Sequence, residues 1–132
     1  MIRVLYIDDI PESGQLVEIS FKLDGRCEMV VATTALQALQ LVANARESGK
    51  HFCAAIVDIA MPGIDGYTFA RMLREMERGN AKYAPIRLAF ATAHGEGMVD
   101  EASIKAVGGE RTWYRPQDME HLPDKICEWL GC

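Results

Sequence analysis

The sequence is short of positive charge. Its 14 lysines and arginines stand against 19 aspartates and glutamates, giving a net charge of −5. A domain that holds nucleic acid through its phosphates needs a basic footprint, so no direct nucleic-acid binding is expected. Long hydrophobic runs are missing as well, which excludes a transmembrane helix. Arg3 is followed by a short strand-like segment rather than the apolar stretch of a signal peptide. These absences predict a cytoplasmic protein with no membrane partner. Cysteine is scarce: Cys27, Cys53, Cys127 and Cys132 include no CxxC pair, and no histidine spacing completes a zinc site. The apolar neighbours of Cys27 and Cys53 predict reduced core thiols in strands. Repeats and low-complexity segments are absent.

What is present suits one domain spanning residues 1–132. At 14.7 kDa the folded surface should be roughly 6,900 Å², with about two thirds of the chain's surface buried. The 49% hydrophobic and 25% charged fractions exclude disorder.

Apolar runs of strand length alternate with amphipathic segments of helix length. Residues 2–7 (IRVLYI) form a first strand ending at Asp8-Asp9. Leu16, Ile19 and Leu23 mark a helix stopped by Gly25. Residues 27–32 (CEMVVA) form a second strand, and Ala35, Leu39 and Val42 a second helix capped by Thr33 or Thr34 and stopped by Gly49. Residues 52–57 (FCAAIV) are a third strand ending at Asp58. Phe69, Ala70, Leu73 and Met76 lie on a third helix closed by Gly79-Asn80. Residues 86–91 (IRLAFA) are a fourth strand ending at Thr92; the run from Pro85 is long enough to suggest a bulge or an extended end. A weaker helix covers 95–107, a short strand 111–114, and a last helix capped by Asp118 carries Leu122, Ile126, Trp129 and Leu130.

Five β/α units in succession imply a parallel sheet covered by helices on both faces. The expected class is α/β: a flavodoxin-like (βα)5 doubly wound five-stranded parallel sheet, order 2-1-3-4-5. Its ligand crevice lies at the carboxyl ends of strands 1 and 3. The residues just past the strand ends should meet there: Asp8, Asp9, Asp58, Thr92 and Arg115. Taken singly, each has a plain reading as a turn residue, a helix cap or a solvated charge. Together they place three carboxylates beside a hydroxyl and a guanidinium. Close carboxylates repel, and Mg2+ is the hard cation that suits them. The hydroxyl and guanidinium suit an oxyanion such as a phosphoryl group.

These residues resemble the receiver domain of two-component response regulators. The resemblance rests on residues 6–9 (YIDD), 57–66 (VDIAMPGIDG), 91–93 (ATA), 115–116 (RP) and the second-helix entry at 34–39 (TALQAL), and it covers the whole chain. It implies that Asp58 is a phosphoacceptor fed by a sensor histidine kinase or a histidine phosphotransfer protein. It implies that Asp9, Asp58 and the backbone carbonyl of Ala60 ligate Mg2+, for which Mn2+ could substitute, while Asp8 holds a metal-bound water. It also implies that Thr92 bonds the phosphoryl group, that a cis peptide precedes Pro116, and that phosphorylation switches helix 4, strand 5 and helix 5 towards a downstream protein target.

Two positions depart from the family pattern. Arg115 stands where the family has lysine, and the two cations are not interchangeable. Thr112 stands where the switch aromatic is expected, and the neighbouring Trp113 projects from the other face of the strand. These departures define an alternative: a phosphorylation-independent binding module. A phosphatase that turns over external substrates is not expected, because Ala60 occupies the position where such enzymes place a second aspartate. Ala60 is also small enough to admit water. His94, two residues past Thr92, is a possible crevice residue. No output module follows the last helix in this sequence, which fits either a stand-alone regulator or a receiver within a longer chain.

Overall fold

Each of the five apolar runs becomes a strand, and each pairs in parallel with its neighbours in the order β2-β1-β3-β4-β5. The computed structural model describes residues 1–79, 82–93 and 99–132. The strands are β1 (Ile2–Ile7), β2 (Cys27–Ala32), β3 (Ala54–Asp58), β4 (Arg87–Thr92) and β5 (Gly109–Tyr114). The helices are α1 (Pro11–Asp24), α2 (Ala35–Ser48), α3 (Gly66–Arg78), α4 (Glu101–Ala106) and α5 (Leu122–Leu130), with a short 3-10 turn at Gln117–Met119. The folded surface is 7009 Å², close to the area expected from mass alone, so the chain closes a full core.

The strand alternation sorts that core into two layers. Leu5, Ile7, Ala55, Val57, Leu88 and Phe90 face α2, α3 and α4. Val4, Tyr6, Ala54, Ile56, Ala89 and Ala91 face the other way, towards α1 and α5. Both faces of the central strands are covered, which is why they read as continuous apolar runs.

The structure adds local detail at α1, the fourth helix, β4 and Asp118. The Leu16, Ile19 and Leu23 stripe does not face the sheet; these side chains are 70%, 55% and 84% exposed. α1 instead packs through Gly14 and Phe21. A Cβ at Gly14 would come within 2.5 Å of a Val31 methyl carbon, so the helix rides against β2 where its side chain is missing. The described fourth helix runs over Glu101–Ala106, where Asp100 is extended and its carboxylate caps the helix by accepting from the Ser103 N–H at 3.1 Å; the expected start at 95 lies outside the described residues. β4 itself is not extended. Of the two expected alternatives it is the bulge that is found, in the pairing with β5, where Leu88 pairs with Gly109 and Ala89 with Arg111, leaving Glu110 as the extra residue. Asp118 does not cap α5; it sits in the 3-10 turn and accepts from the Tyr114 N–H at 2.8 Å.

The cysteines also differ from expectation. Cys27 is a buried free thiol as expected, but Cys53 precedes β3 and is exposed. Cys127 and Cys132 are joined by a disulfide. A five-residue separation without a CxxC pattern gives little sign of it in the sequence.

Candidate functional site

β1 and β3 are adjacent, and their carboxyl ends deliver the acidic residues to one place. Asp58 is the last residue of β3, and Asp8 and Asp9 follow β1 directly. Carboxylate oxygens of Asp8, Asp9 and Asp58 all lie within 4.8 Å of one another. Asp8 is fully buried, Asp58 is 8% exposed and Asp9 is half-buried. Thr92, the last residue of β4, is buried one step beyond Ala91, which pairs with Asp58.

The geometry around Asp58 depends on a close approach. The α3 N-terminus folds back so that the Gly66 N–H donates to the Ile59 carbonyl at 2.9 Å. A Cβ at Gly66 would lie 2.4 Å from the Asp58 carbonyl oxygen and 2.9 Å from the Ile59 Cα. Both obstacles are backbone, so only glycine fits this seat. Asp65 caps the helix just before it, accepting from the Thr68 N–H at 2.8 Å. Ala60 is exposed at the rim, between the buried Ile59 and Met61.

Arg115 reaches the site from the far side of the sheet. Its backbone N–H continues the β4 to β5 ladder by donating to the Thr92 carbonyl at 2.7 Å, and the Arg115–Pro116 peptide is cis. The guanidinium then donates to Asp8 Oδ2 at 2.7 Å and to the Tyr6 hydroxyl at 2.9 Å. The Tyr6 hydroxyl in turn donates to Asp8 Oδ2 at 3.3 Å. Arg115 is thus committed to Asp8 and makes no hydrogen bond to Asp58 among those between described residues. Tyr6 is a member of this network that sequence reasoning missed. Its signal was weak, because a tyrosine inside a buried strand reads as core.

Charge crowding sets the site's protonation. Burial lifts the Asp58 carboxyl to about 6; the nearby Arg115 charge pulls it back, and Asp8 and Asp9 push it further up. Burial also acts on Asp8, but the Ile10 N–H at 3.0 Å and the Arg115 guanidinium outweigh it and hold this carboxyl below its ordinary value. Burial pushes the Tyr6 phenol up to about 12, so Tyr6 stays a neutral donor. The site therefore contains one carboxylate neutralised by arginine and another that is destabilised in its charged form. Hard oxygen donors at this spacing fit a divalent cation such as Mg2+.

The remaining expected positions divide. Thr112 is half-buried and pairs with Phe90, whereas Trp113 points to the α5 layer, its ring 5.7 Å from that of Trp129 in an edge contact. Trp113 therefore faces away from the layer that Thr112 occupies, as strand alternation requires. His94 lies outside the described residues.

The family of the response regulator receiver domain matches residues 4–126. Among curated proteins, the chain is 32% identical over 108 residues to the positive alginate biosynthesis regulatory protein of Pseudomonas aeruginosa, covering 80% of this chain and 39% of that protein. It is 35% identical over 100 residues to the sensor protein TorS of Escherichia coli, covering 76% of this chain and 9% of that one. The matched region is thus a minor part of each relative's length. Among solved structures, the receiver domain of the histidine kinase CKI1 from Arabidopsis thaliana, complexed with Mg2+ and BeF3−, has a TM-score of 0.77 at 22% identity, covering 98% of this chain and 90% of that one. The receiver domain of Ssk1 from Saccharomyces cerevisiae, crystallised with the histidine phosphotransfer protein Ypd1, gives 0.73 at 23% identity, covering 97% and 88%.

Proposed function

The chain belongs to the response regulator receiver domain family, and on that premise we propose that Asp58 accepts a phosphoryl group from a sensor histidine kinase or a histidine phosphotransfer protein. The observation that carries this reading is the meeting of Asp8, Asp9 and Asp58 within 4.8 Å at the ends of β1 and β3. Residues 1–132 are taken as one receiver domain, with no turnover of external substrates.

Asp9, Asp58 and the Ala60 carbonyl would hold Mg2+, or Mn2+ in its place, with Asp8 bonding a metal-bound water. When bound, the ion neutralises charge that builds on the transferring group. Asp58 supplies the nucleophile: its carboxylate oxygen forms a bond to phosphorus as the bond from phosphorus to the donor histidine nitrogen breaks. The departing imidazole keeps the electron pair and takes up a proton. Thr92, at the adjacent strand end, is placed to bond a phosphoryl oxygen. The small, exposed Ala60 leaves water a path to the acyl phosphate. The exposed apolar stripe of α1, which begins beside Asp8 and Asp9, suits a protein donor that must cover the crevice during transfer. Phosphorylation would then bias the surface of α4, β5 and α5 towards a downstream protein target, in the cytoplasm.

One observation favours a second reading. Arg115 is paired with Asp8 and Tyr6 rather than with Asp58, and Thr112 replaces the switch aromatic. A domain so built could dock partners in one fixed state without phosphorylation. Intact mass after incubation with Mg2+ and acetyl phosphate separates the two. A base-labile adduct on the parent and none on Asp58→Asn supports the phosphoacceptor. No adduct on a folded, Mg2+-binding parent favours the fixed-state module, and an adduct that leaves the amide spectrum of α4, β5 and α5 unchanged does the same.

A further inference from the structure

Away from the carboxylate crevice, three of the four cysteines meet. Cys27 is the first residue of β2, Cys127 lies on α5, and Cys132 follows the α5 C-cap. The Cys27 Sγ is 3.9 Å from the Cys127 Sγ and 3.4 Å from the Cys132 Sγ. All three sulfurs lie within 4.8 Å of one another. The meeting is built by the fold, since Cys27 is separated from the others by 100 and 105 residues. The C-terminal turn completes it. Gly131 is left-handed at φ 81°, and the Gly131 and Cys132 N–H groups both donate to the Cys127 carbonyl, at 2.8 and 3.1 Å. That turn folds Cys132 back over the last turn of α5.

We propose that, with the Cys127–Cys132 disulfide reduced, these three sulfurs form a binding site for a single soft, thiophilic cation. Three observations support it. A three-coordinate ion with sulfur bonds of about 2.3 Å spaces its ligands about 4.0 Å apart; the Cys27 sulfur already stands 3.9 Å from that of Cys127, and opening the disulfide frees Cys132, now 3.4 Å from Cys27, to move out to that spacing. Thiolate donors select soft cations over hard ones. Cys27 and Cys127 are 4% and 5% exposed, whereas Cys132 is open to solvent, which gives a sheltered site with an entry path. The chemistry balances. A dithiol reductant gives two electrons and two protons to the Cys127–Cys132 pair and closes its own disulfide. Binding of a divalent ion then releases one proton from each of the three thiols and leaves a complex of net charge −1. The occupied site would tie the start of β2 to the end of α5.

Cadmium chloride tests this on the full chain, reduced and shown by thiol titration to carry four free thiols. One equivalent should produce the ultraviolet charge-transfer band of cadmium bound to thiolate sulfur. Cys27→Ser and Cys132→Ser should weaken binding at least about tenfold, since losing even an outer partner of a ligand costs that much. Cys53→Ser and Asp58→Asn should bind like the parent. Cys132 is exposed, so its variant keeps the test valid if Cys27→Ser fails to fold. No band in the folded, reduced parent would overturn the proposal, as would equal binding by Cys132→Ser.

Discussion

At the carboxyl ends of β1 and β3 the sheet gathers oxygen donors, Asp8, Asp9 and Asp58. Between the first residue of β2 and the end of α5 it gathers sulfur, from Cys27, Cys127 and Cys132. Both groups are assembled by the same topology, and they differ in how the chain reaches them. Each crevice residue ends or directly follows a strand, so the local sequence around it announces its place. The sulfur group draws on a strand start, a helix and the turn after it, and nothing local brings Cys27 to the other two. A parallel sheet thus writes its crevice into the sequence and hides what its helices bring to its other end.

The comparison is sharpest in a loss of function. Asp58→Asn should abolish the acetyl-phosphate adduct, read by intact mass, whereas Cys27→Ser should change the rate of adduct formation by less than about twofold, the ordinary scale for a site with no shared partners. An equal loss in both variants would break the separation of the two regions.

The next effect is on metal affinity at the crevice. Because the Asp58 carboxyl is raised to about 6, protons compete with Mg2+ below that pH. Affinity measured by calorimetry should fall by about tenfold per pH unit below 6. Arg115→Ala removes a cation held on Asp8 and should tighten Mg2+ binding at pH 7. Unchanged or weaker binding would mean that Arg115 does not oppose the ion.

Stability follows with its sign reversed from that of an ordinary salt-bridged carboxylate. Asp58 binds its proton more tightly folded than unfolded, so it costs stability above about pH 6, and that cost fades as pH falls towards 4. Urea midpoints should therefore place Asp58→Asn above the parent at pH 7, with the gap closing by pH 4. Asp8 runs the other way. Its carboxyl is held below the ordinary value, so its contribution is full above about pH 4 and is lost in stronger acid.

The smallest effect concerns the apolar stripe of α1. Leu23 is 84% exposed, so Leu23→Ser should shift unfolding stability by no more than about 0.5 kcal/mol. A larger destabilisation would mean that the stripe packs against something in solution.

The strand order and the convergence of Asp8, Asp9, Asp58 and Thr92 were legible because strand length and strand ends carry them, whereas the cis peptide at Pro116 was expected only from the family resemblance, an Arg-Pro pair by itself favouring trans. The partner of Arg115 was not legible. A strand-end cation can turn to either face of the sheet, and only Tyr6 and Asp8, 109 and 107 residues away, decide which. The packing of α1 was illegible for a different reason. Its apolar spacing is helical, but the helix approaches β2 through the missing side chain of Gly14, so the stripe that looked like core faces water. Asp118 had the right residue type for a cap, yet its carboxylate takes the Tyr114 N–H one turn earlier.

Gly66 has a mechanical consequence. With the α3 backbone seated against the Asp58 carbonyl and the Ile59 Cα, one jaw of the crevice is a fixed anvil. A load applied at Asp58 cannot be absorbed by sliding α3 along β3, because no slack separates them. Displacement is left to the other jaw, where β4 ends at Thr92 and the Thr92 carbonyl accepts from the Arg115 N–H. Even a methyl group at position 66 would jack the fixed jaw open and let that load dissipate before it crossed the sheet.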